Sequence, residues 1–215
     1  MRSTSTLSQR PPAGRNRRLT RPLAVVALVA AFATATTSAA QAQTISNSDR
    51  AGDMVSIDFE TGATTPAPDQ TRSDVIRTRM RHGAHRVSVR VEFAELQRVS
   101  DGNLLFIQMV TNEGARRIVT LEAGPGDWGG HTEFTRADER LVRCAVRHSI
   151  DYSQNVMTVS FPRRCASRPA WVKFRVAAAG FDENGFHLDD ALRDQPMTDA
   201  DNDFVQSRRV YRSAS

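Results

Sequence analysis

Apolar and polar residues alternate in several short segments of this chain. In residues 86–93 (RVSVRVEF) every second residue is apolar, and the same period recurs in residues 55–59, 157–161 and 172–176. This period predicts β-strands with one buried face. Residues 104–110 (LLFIQMV) are apolar on both faces and predict a central strand.

About nine such segments alternate with turn residues, and no long amphipathic helix is present. The pattern predicts an all-β fold, an antiparallel β-sandwich, with a barrel as the alternative. Residues 43–52, the loop Thr61–Gln70, the acidic stretch from Gly180 and the tail 205–215 are predicted to lie outside the strands. His82 and His85 flank a predicted turn and are expected to be exposed.

The clearest hairpin lies in residues 141–165, where two alternating arms flank the polar turn 151–155. The only two cysteines, Cys144 and Cys165, sit on these arms. An even pair in an exported chain favours a structural disulfide over a zinc site or a catalytic thiol.

The export prediction comes from residues 1–42. A basic stretch precedes an apolar run (LAVVALVAAFA), and Ala40-Gln41-Ala42 forms an A-x-A cleavage pattern. This order is that of a secretory signal peptide, with a short N-terminal anchor as the alternative. Arg17-Arg18 suggests twin-arginine export less well than the general secretory route. We therefore expect a secreted single domain, residues 43–215, with an acidic C-terminal segment and no membrane span.

The net charge of +5 disappears with that segment, which holds six arginines and no acid. The remaining 173 residues contain 23 basic and 24 acidic residues. A neutral domain has no general attraction for a phosphate backbone, so nucleic acid is not an expected partner.

The glycine-rich segment Gly124–His131 (GPGDWGGH) holds the candidate ligand-binding residues Asp127, Trp128 and His131. A tryptophan in an exposed loop can stack on a sugar ring while polar neighbours bind its hydroxyls. Its alternative is a buried plug at one end of the sandwich. The G-x-G-x-x-G spacing lacks the helix that a dinucleotide site requires.

A calcium ion is the one cofactor that the sequence suggests. Asp199, Asp201 and Asp203 match the start of a calcium-binding loop, and Asp189, Asp190 or Asp194 could add oxygen ligands. The alternative is a solvated acidic tail that binds no metal.

Arginines concentrate on the predicted outward faces of the strands. They are Arg77, Arg79, Arg86, Arg90, Arg143, Arg147 and Arg175. On one sheet they could bind an anionic wall polymer or an acidic glycan, whereas pairing with glutamates across strands would merely keep the face soluble.

The rhythm of residues 74–93 resembles the early strands of carbohydrate-binding β-sandwiches of the family 9 and DOMON-like type. The segment from Cys144 to Cys165 resembles uncharacterised exported β-sandwich proteins of Gram-positive bacteria. The resemblance implies the sandwich fold and a glycan or cell-wall ligand.

Three functional hypotheses follow. The first is a secreted, non-catalytic protein that binds a glycan or cell-wall polymer. The second is an extracellular hydrolase whose site joins residues distant in sequence, since the chain contains neither H-E-x-x-H nor G-x-S-x-G. The third is a structural or protein-interaction domain, which a broad exposed apolar patch would indicate.

Overall fold

The computed structural model describes residues 43–98, 102–181, 185–198 and 204–213. A single turn of 3-10 helix, Arg163–Ala166, interrupts an otherwise all-β structure in these ranges. The described strands are β1 (Gln43–Ser48), β2 (Val55–Asp58), β3 (Thr64–Pro66), β4 (Val75–His82), β5 (Arg86–Phe93), β6 (Asn103–Thr111), β7 (Arg116–Gly124), β8 (Asp127–Arg136), β9 (Arg147–Asp151), β10 (Val156–Pro162), β11 (Trp171–Phe181), β12 (Gly185–Asp190) and β13 (Val210–Tyr211).

These strands form two antiparallel sheets that pack against each other, which confirms the predicted antiparallel β-sandwich. The small sheet has five strands in the order β1-β4-β5-β10-β9. The large sheet has eight, in the order β3-β2-β12-β11-β6-β7-β8, with β13 pairing with the start of β11.

The main hydrophobic core lies between the two sheets. Phe161 of β10 and Phe134 of β8 meet there with ring centroids 5.0 Å apart, beside the fully buried Phe174 and Met80. Burial of each such side chain contributes about 1.5–3 kcal/mol. The alternation in the sequence predicted this face of each sheet correctly.

A second hydrophobic cluster covers the other face of the large sheet. Ala177 and Ala179 of β11 belong to it, whereas Ala178 between them belongs to the main core. Met197 and Phe204, which follow β12 in the chain, pack on this cluster. The large sheet is therefore apolar on both faces where this cluster lies, which explains the largely apolar sequence of its central strand β6.

The described residues contain thirteen strands, four more than the nine that the sequence predicts. The additional strands are β1, β3, β12 and β13, in segments that we predicted to be frayed, looped or turn-like. β12 is buried at four of its six positions. Such short or doubly covered strands have no clear alternation, so the pattern could not predict them.

The predicted hairpin is correct for β9 and β10, which pair from Arg147 to Ser160. Its first arm is wrong before Arg147, because residues 142–146 form no strand. Val142, Cys144 and Val146 instead pack half-buried against the main core. Their alternation reflects this packing, without a neighbouring strand to complete a hydrogen-bond ladder.

The predicted disulfide joins Cys144 to Cys165, with 6.0 Å between their Cα atoms. Cys144 follows the last strand of the large sheet, and Cys165 lies in the helical turn after β10 of the small sheet. Closing a chain loop of this size contributes about 3 kcal/mol in the chain-entropy model.

The described part of the C-terminal segment, residues 204–213, packs on the sandwich, contrary to the prediction that the tail trails off. Val210 is fully buried, and Ser207 exchanges hydrogen bonds with the backbone of Phe174. His82, which we expected to be exposed, is also fully buried, and its Nδ1 donates a hydrogen bond to the carbonyl of Val210 at 3.1 Å. Both predictions were wrong because β13 covers the end of β4.

Candidate functional site

The outer face of the small sheet carries a group of arginines that we call the arginine face. Its members are Arg77, Arg79, Arg81, Arg86, Arg90 and Arg147. Five of them were predicted as outward residues, and Arg81 was missed. The sheet's described strands carry two acidic residues on this face, Glu92 and Asp151. It is therefore strongly basic on a domain with almost no net charge.

Strand register places short hydroxyl side chains between these arginines. Arg81 lies opposite Ser88, which lies opposite Ser160, which in turn lies opposite Arg147. With about 4.8 Å between strands, the two arginines of this row are roughly 14 Å apart. Long cationic side chains thus flank a floor of hydrogen-bonding hydroxyl groups.

The cations of the arginine face are only partly neutralised. Glu92 contacts Arg77 at 3.4 Å and Arg90 at 3.3 Å. Among the described residues, Arg79, Arg81 and Arg147 make no ion pair with an acidic side chain. Arg79 also stands directly opposite Arg90, and like charges in such a cross-strand pair repel each other.

The guanidinium of Arg86 is held by hydrogen bonds to Ser160 on the neighbouring strand β10. Its Nη2 donates to the carbonyl of Ser160 at 2.7 Å and to its hydroxyl at 3.0 Å. Burial, followed by the charges of Arg147 and Arg164, lowers the pKa of Arg86 from its ordinary value. The guanidinium is thus fixed in position in a basic environment.

Two predicted outward arginines lie elsewhere. Arg175 is in β11 of the large sheet and donates to the side-chain oxygen of Gln108 at 3.2 Å. Arg143 lies in the irregular segment before β9. Sequence alternation identified outward positions but could not assign each strand to its sheet.

The segment with the predicted ligand-binding residues is a hairpin rather than a long loop. Its turn is Pro125-Gly126, and Asp127, Trp128 and His131 belong to β8. Gly130 has φ +78°, and a Cβ there would lie 2.9 Å from Ile150 Cδ1 and 3.0 Å from the Glu122 carbonyl oxygen. This glycine allows a β-bulge and a close approach to the small sheet, so its role is structural.

Trp128 makes a contact between the sheets. Its half-buried ring meets Tyr152 edge-on, with centroids 6.1 Å apart, and the Tyr152 hydroxyl donates to the Trp128 carbonyl at 3.1 Å. The Arg98 guanidinium lies 4.6 Å from the centre of the Tyr152 ring. This arrangement favours the alternative interpretation of a plug at the end of the sandwich.

Asp127 and His131 form a separate exposed cluster. His131 lies 3.7 Å from the Asp127 carboxylate and 3.8 Å from that of Glu122 on β7. Of the three residues predicted to bind one sugar, Trp128 therefore contacts Tyr152, whereas Asp127 and His131 contact each other. The predicted calcium ligands Asp199, Asp201 and Asp203 lie outside the described residues.

A group of carboxylates that the sequence did not reveal lies at one end of the sandwich. We call Asp49, Asp53, Asp74 and Asp189 the acidic chamber. One carboxylate oxygen from each of the last three lies within 4.8 Å of the other two, and all three residues are buried. Only Asp189 had been considered as a ligand. The four residues are spread over 140 positions of sequence, so no spacing motif could reveal them.

Burial is the main cause of the raised pKa values in the chamber. It raises the pKa of Asp49 to about 9 and that of Asp53 to about 6, with further increases from neighbouring aspartates. It also raises the pKa values of Asp74 and Asp189. Negative charge is therefore unfavourable in this chamber unless a cation balances it.

The comparisons with known proteins add no family. The chain matches no protein-family model, no curated protein and no solved structure. Within the described ranges, no helix is long and apolar enough to cross a membrane. The single disulfide is compatible with an extracellular protein.

Proposed function

We propose that this protein is a secreted, non-catalytic binding protein that holds an acidic glycan on its arginine face. The observation that carries the proposal is the concentration of six arginines on one face of the small sheet, with two acidic residues beside them. Repeated carboxylate or sulfate groups on a glycan would neutralise these cations, and the serine and threonine hydroxyls between them would bind sugar hydroxyls.

The shape of this face supports a polymer rather than a small ligand. Five strands span about 19 Å, and the outward arginine, serine and threonine side chains on them are exposed or half-buried. Arginines that repel each other across strands gain stability when an anion lies between them. The predicted signal peptide of residues 1–42 and the disulfide support a location where extracellular glycans are available.

Two observations favour binding over the alternative functions. The converging carboxylates of the acidic chamber are too deeply buried to reach a glycosidic bond, with Asp53 only 4% exposed and Asp74 fully buried. The large apolar side chains exposed in the described residues, Phe59, Ile76, Leu141 and Tyr211, are spread over different elements. They do not form the broad apolar patch expected of a protein-interaction domain.

The proposal is tested by retention of the purified protein on an immobilised acidic polysaccharide and on a neutral one, with a sodium chloride gradient. We expect later elution from the acidic matrix only. The double variant Arg79→Gln/Arg90→Gln should weaken binding by about tenfold, which corresponds to about 1.4 kcal/mol. The matched control is Arg116→Gln/Arg136→Gln, which removes two exposed strand arginines from the large sheet.

Equal losses in both double variants would show that retention is nonspecific and would contradict the proposal. The variant Asp127→Asn/His131→Gln tests the hairpin that the sequence suggested. Weaker binding in that variant alone would move the binding site to β8.

A further inference from the structure

The acidic chamber lies where the two sheets meet at one end. Asp49 follows β1 and Asp74 precedes β4, both strands of the small sheet. Asp53 precedes β2, and Asp189 belongs to β12, both of the large sheet. Asp189 pairs across strands with Ala178, a main-core residue, so its carboxylate points inward between the sheets. A cation that binds Asp74 together with Asp53 and Asp189 would join the sheets.

Backbone hydrogen bonds fix part of this chamber. The amide of Gly52 donates to Asp74 Oδ2 at 2.8 Å, and that of Val75 donates to Asp189 Oδ2 at 2.7 Å. Gly52 has φ +83°, and this turn conformation brings its amide to Asp74. The chamber is therefore partly preorganised, because backbone amides orient two of its carboxylates.

Four of the remaining oxygens have no such partners. Asp53 is 4% exposed, and within the described part of the chain neither of its carboxylate oxygens has a hydrogen-bond partner. The same holds for Oδ1 of Asp74, which is fully buried, and for Oδ2 of Asp49. Buried carboxylates are otherwise hydrogen-bonded, paired with a cation or bound to a metal. These unpartnered oxygens point to a missing positive charge.

The donor atoms indicate which cation fits. All are carboxylate oxygens, which suit hard cations, whereas zinc favours histidine and cysteine. Oxygens up to 4.8 Å apart can bind the same calcium ion, because each calcium–oxygen bond is about 2.4 Å long. Magnesium requires shorter bonds of about 2.1 Å and usually keeps several water ligands, so it fits a closed carboxylate chamber less well.

We propose that the acidic chamber binds one calcium ion through Asp53, Asp74 and Asp189. Asp49, half-buried beside them, lies outside this group of three and adds negative charge to the site. The ion links the start of β4 in the small sheet to β12 in the large sheet. It stabilises this end of the sandwich, as the disulfide stabilises a different connection between the sheets.

The first test is thermal unfolding of the purified protein with calcium and with a chelator. Calcium at about 100 times its Kd should raise Tm by about 5–10 °C. Asp53→Asn keeps the shape of the side chain and removes one buried charge, so it should unfold at a higher temperature than wild type in chelator. Calcium should then raise its Tm much less. An unchanged Tm of the wild type in calcium would overturn the proposal.

The second test is direct measurement of bound calcium by equilibrium dialysis. Wild type should bind one ion, and Asp53→Asn and Asp189→Asn should each weaken binding by at least tenfold. Asp58→Asn, which changes a half-buried aspartate at the end of β2 and outside the chamber, is the matched control and should bind as wild type does.

The tail candidates are tested with Asp199→Asn/Asp201→Asn/Asp203→Asn. Retained binding in this triple variant supports the chamber. Loss of binding there, with normal binding in Asp53→Asn, would overturn the proposal and assign the ion to the tail. Absence of bound calcium in the wild type would also overturn it.

Discussion

The outer faces of the two sheets have opposite characters. That of the small sheet is a polar surface of arginine, serine and threonine, with every apolar residue of β5 turned inward. That of the large sheet is apolar where the second cluster covers it, with Met197 and Phe204 packed there, and polar on β7 and β8. The small sheet thus leaves its outer face exposed, while part of the large sheet is buried on both faces. The division explains how a domain of nearly neutral charge can present one strongly basic face.

The largest expected effect comes from placing a polar residue on the covered face. Phe106→Ser removes a half-buried ring from the second cluster and should lower the free energy of unfolding by about 2 kcal/mol. Arg90→Ser on the arginine face should change it by no more than about 0.5 kcal/mol. Urea denaturation measures both. Similar small changes in the two variants would show that the outer faces do not differ in this way.

A smaller effect concerns the buried inner face of β4. Burial, opposed by the Val210 hydrogen bond and reinforced by the charges of Arg163 and Arg212, lowers the pKa of His82 below 6.5. Below pH 6.5 the imidazole of His82 binds a proton in the unfolded chain, whereas in the folded chain it does so only at lower pH. The stability that neutral His82 contributes to the folded state is therefore complete above pH 6.5 and is lost as the pH falls below it. Each pKa unit of lowering corresponds to about 1.4 kcal/mol.

Urea denaturation at pH 5 and pH 7 checks this sign. The wild type should lose more stability on acidification than His82→Gln does, because the variant has no imidazole to protonate. The exposed His85 provides the control variant His85→Gln, which should behave as wild type. An equal acid loss in wild type and His82→Gln would contradict the expected burial of a neutral imidazole.

The smallest effect concerns charge on the arginine face itself. Arg79→Gln removes the repulsion with Arg90 and should raise the free energy of unfolding by about 0.5 kcal/mol at low salt. The gain should fade in 1 M sodium chloride, where charges are screened within about 3 Å. Arg116→Gln, which faces Val110, should give no such gain. A salt-independent gain would indicate a cause other than charge.

Alternation predicted the small sheet better than the large one. Residues 86–93 form β5 with the predicted buried face, because one side of that strand meets solvent. β12 was missed because both of its faces are covered, which removes the period. The disulfide was predictable because the predicted export of a chain with two cysteines leaves few alternatives.

The two candidate sites differ in the same way. Five of the six arginines of the arginine face were assigned to outward positions from local sequence alone. The acidic chamber could not be predicted, because Asp53 and Asp189 meet only when the sheets pack. The glycines around Trp128 suggested an exposed ligand-binding loop. In the structure, Gly130 instead allows β8 to approach the small sheet. Sequence patterns thus identified residues on an exposed surface better than they identified residues that meet from distant parts of the chain.

The irregular segment before β9 has a consequence for the solubility of the protein. Leu141 forms a bridge with Thr135, and the Val142 amide donates to the Phe134 carbonyl at 2.7 Å, so this segment blocks part of the free edge of β8. The disulfide at Cys144 holds the segment in place. An uncovered strand edge is a template for pairing with another chain. Reduction of the disulfide would free this segment, uncover the edge of β8 and favour edge-to-edge self-association of the protein.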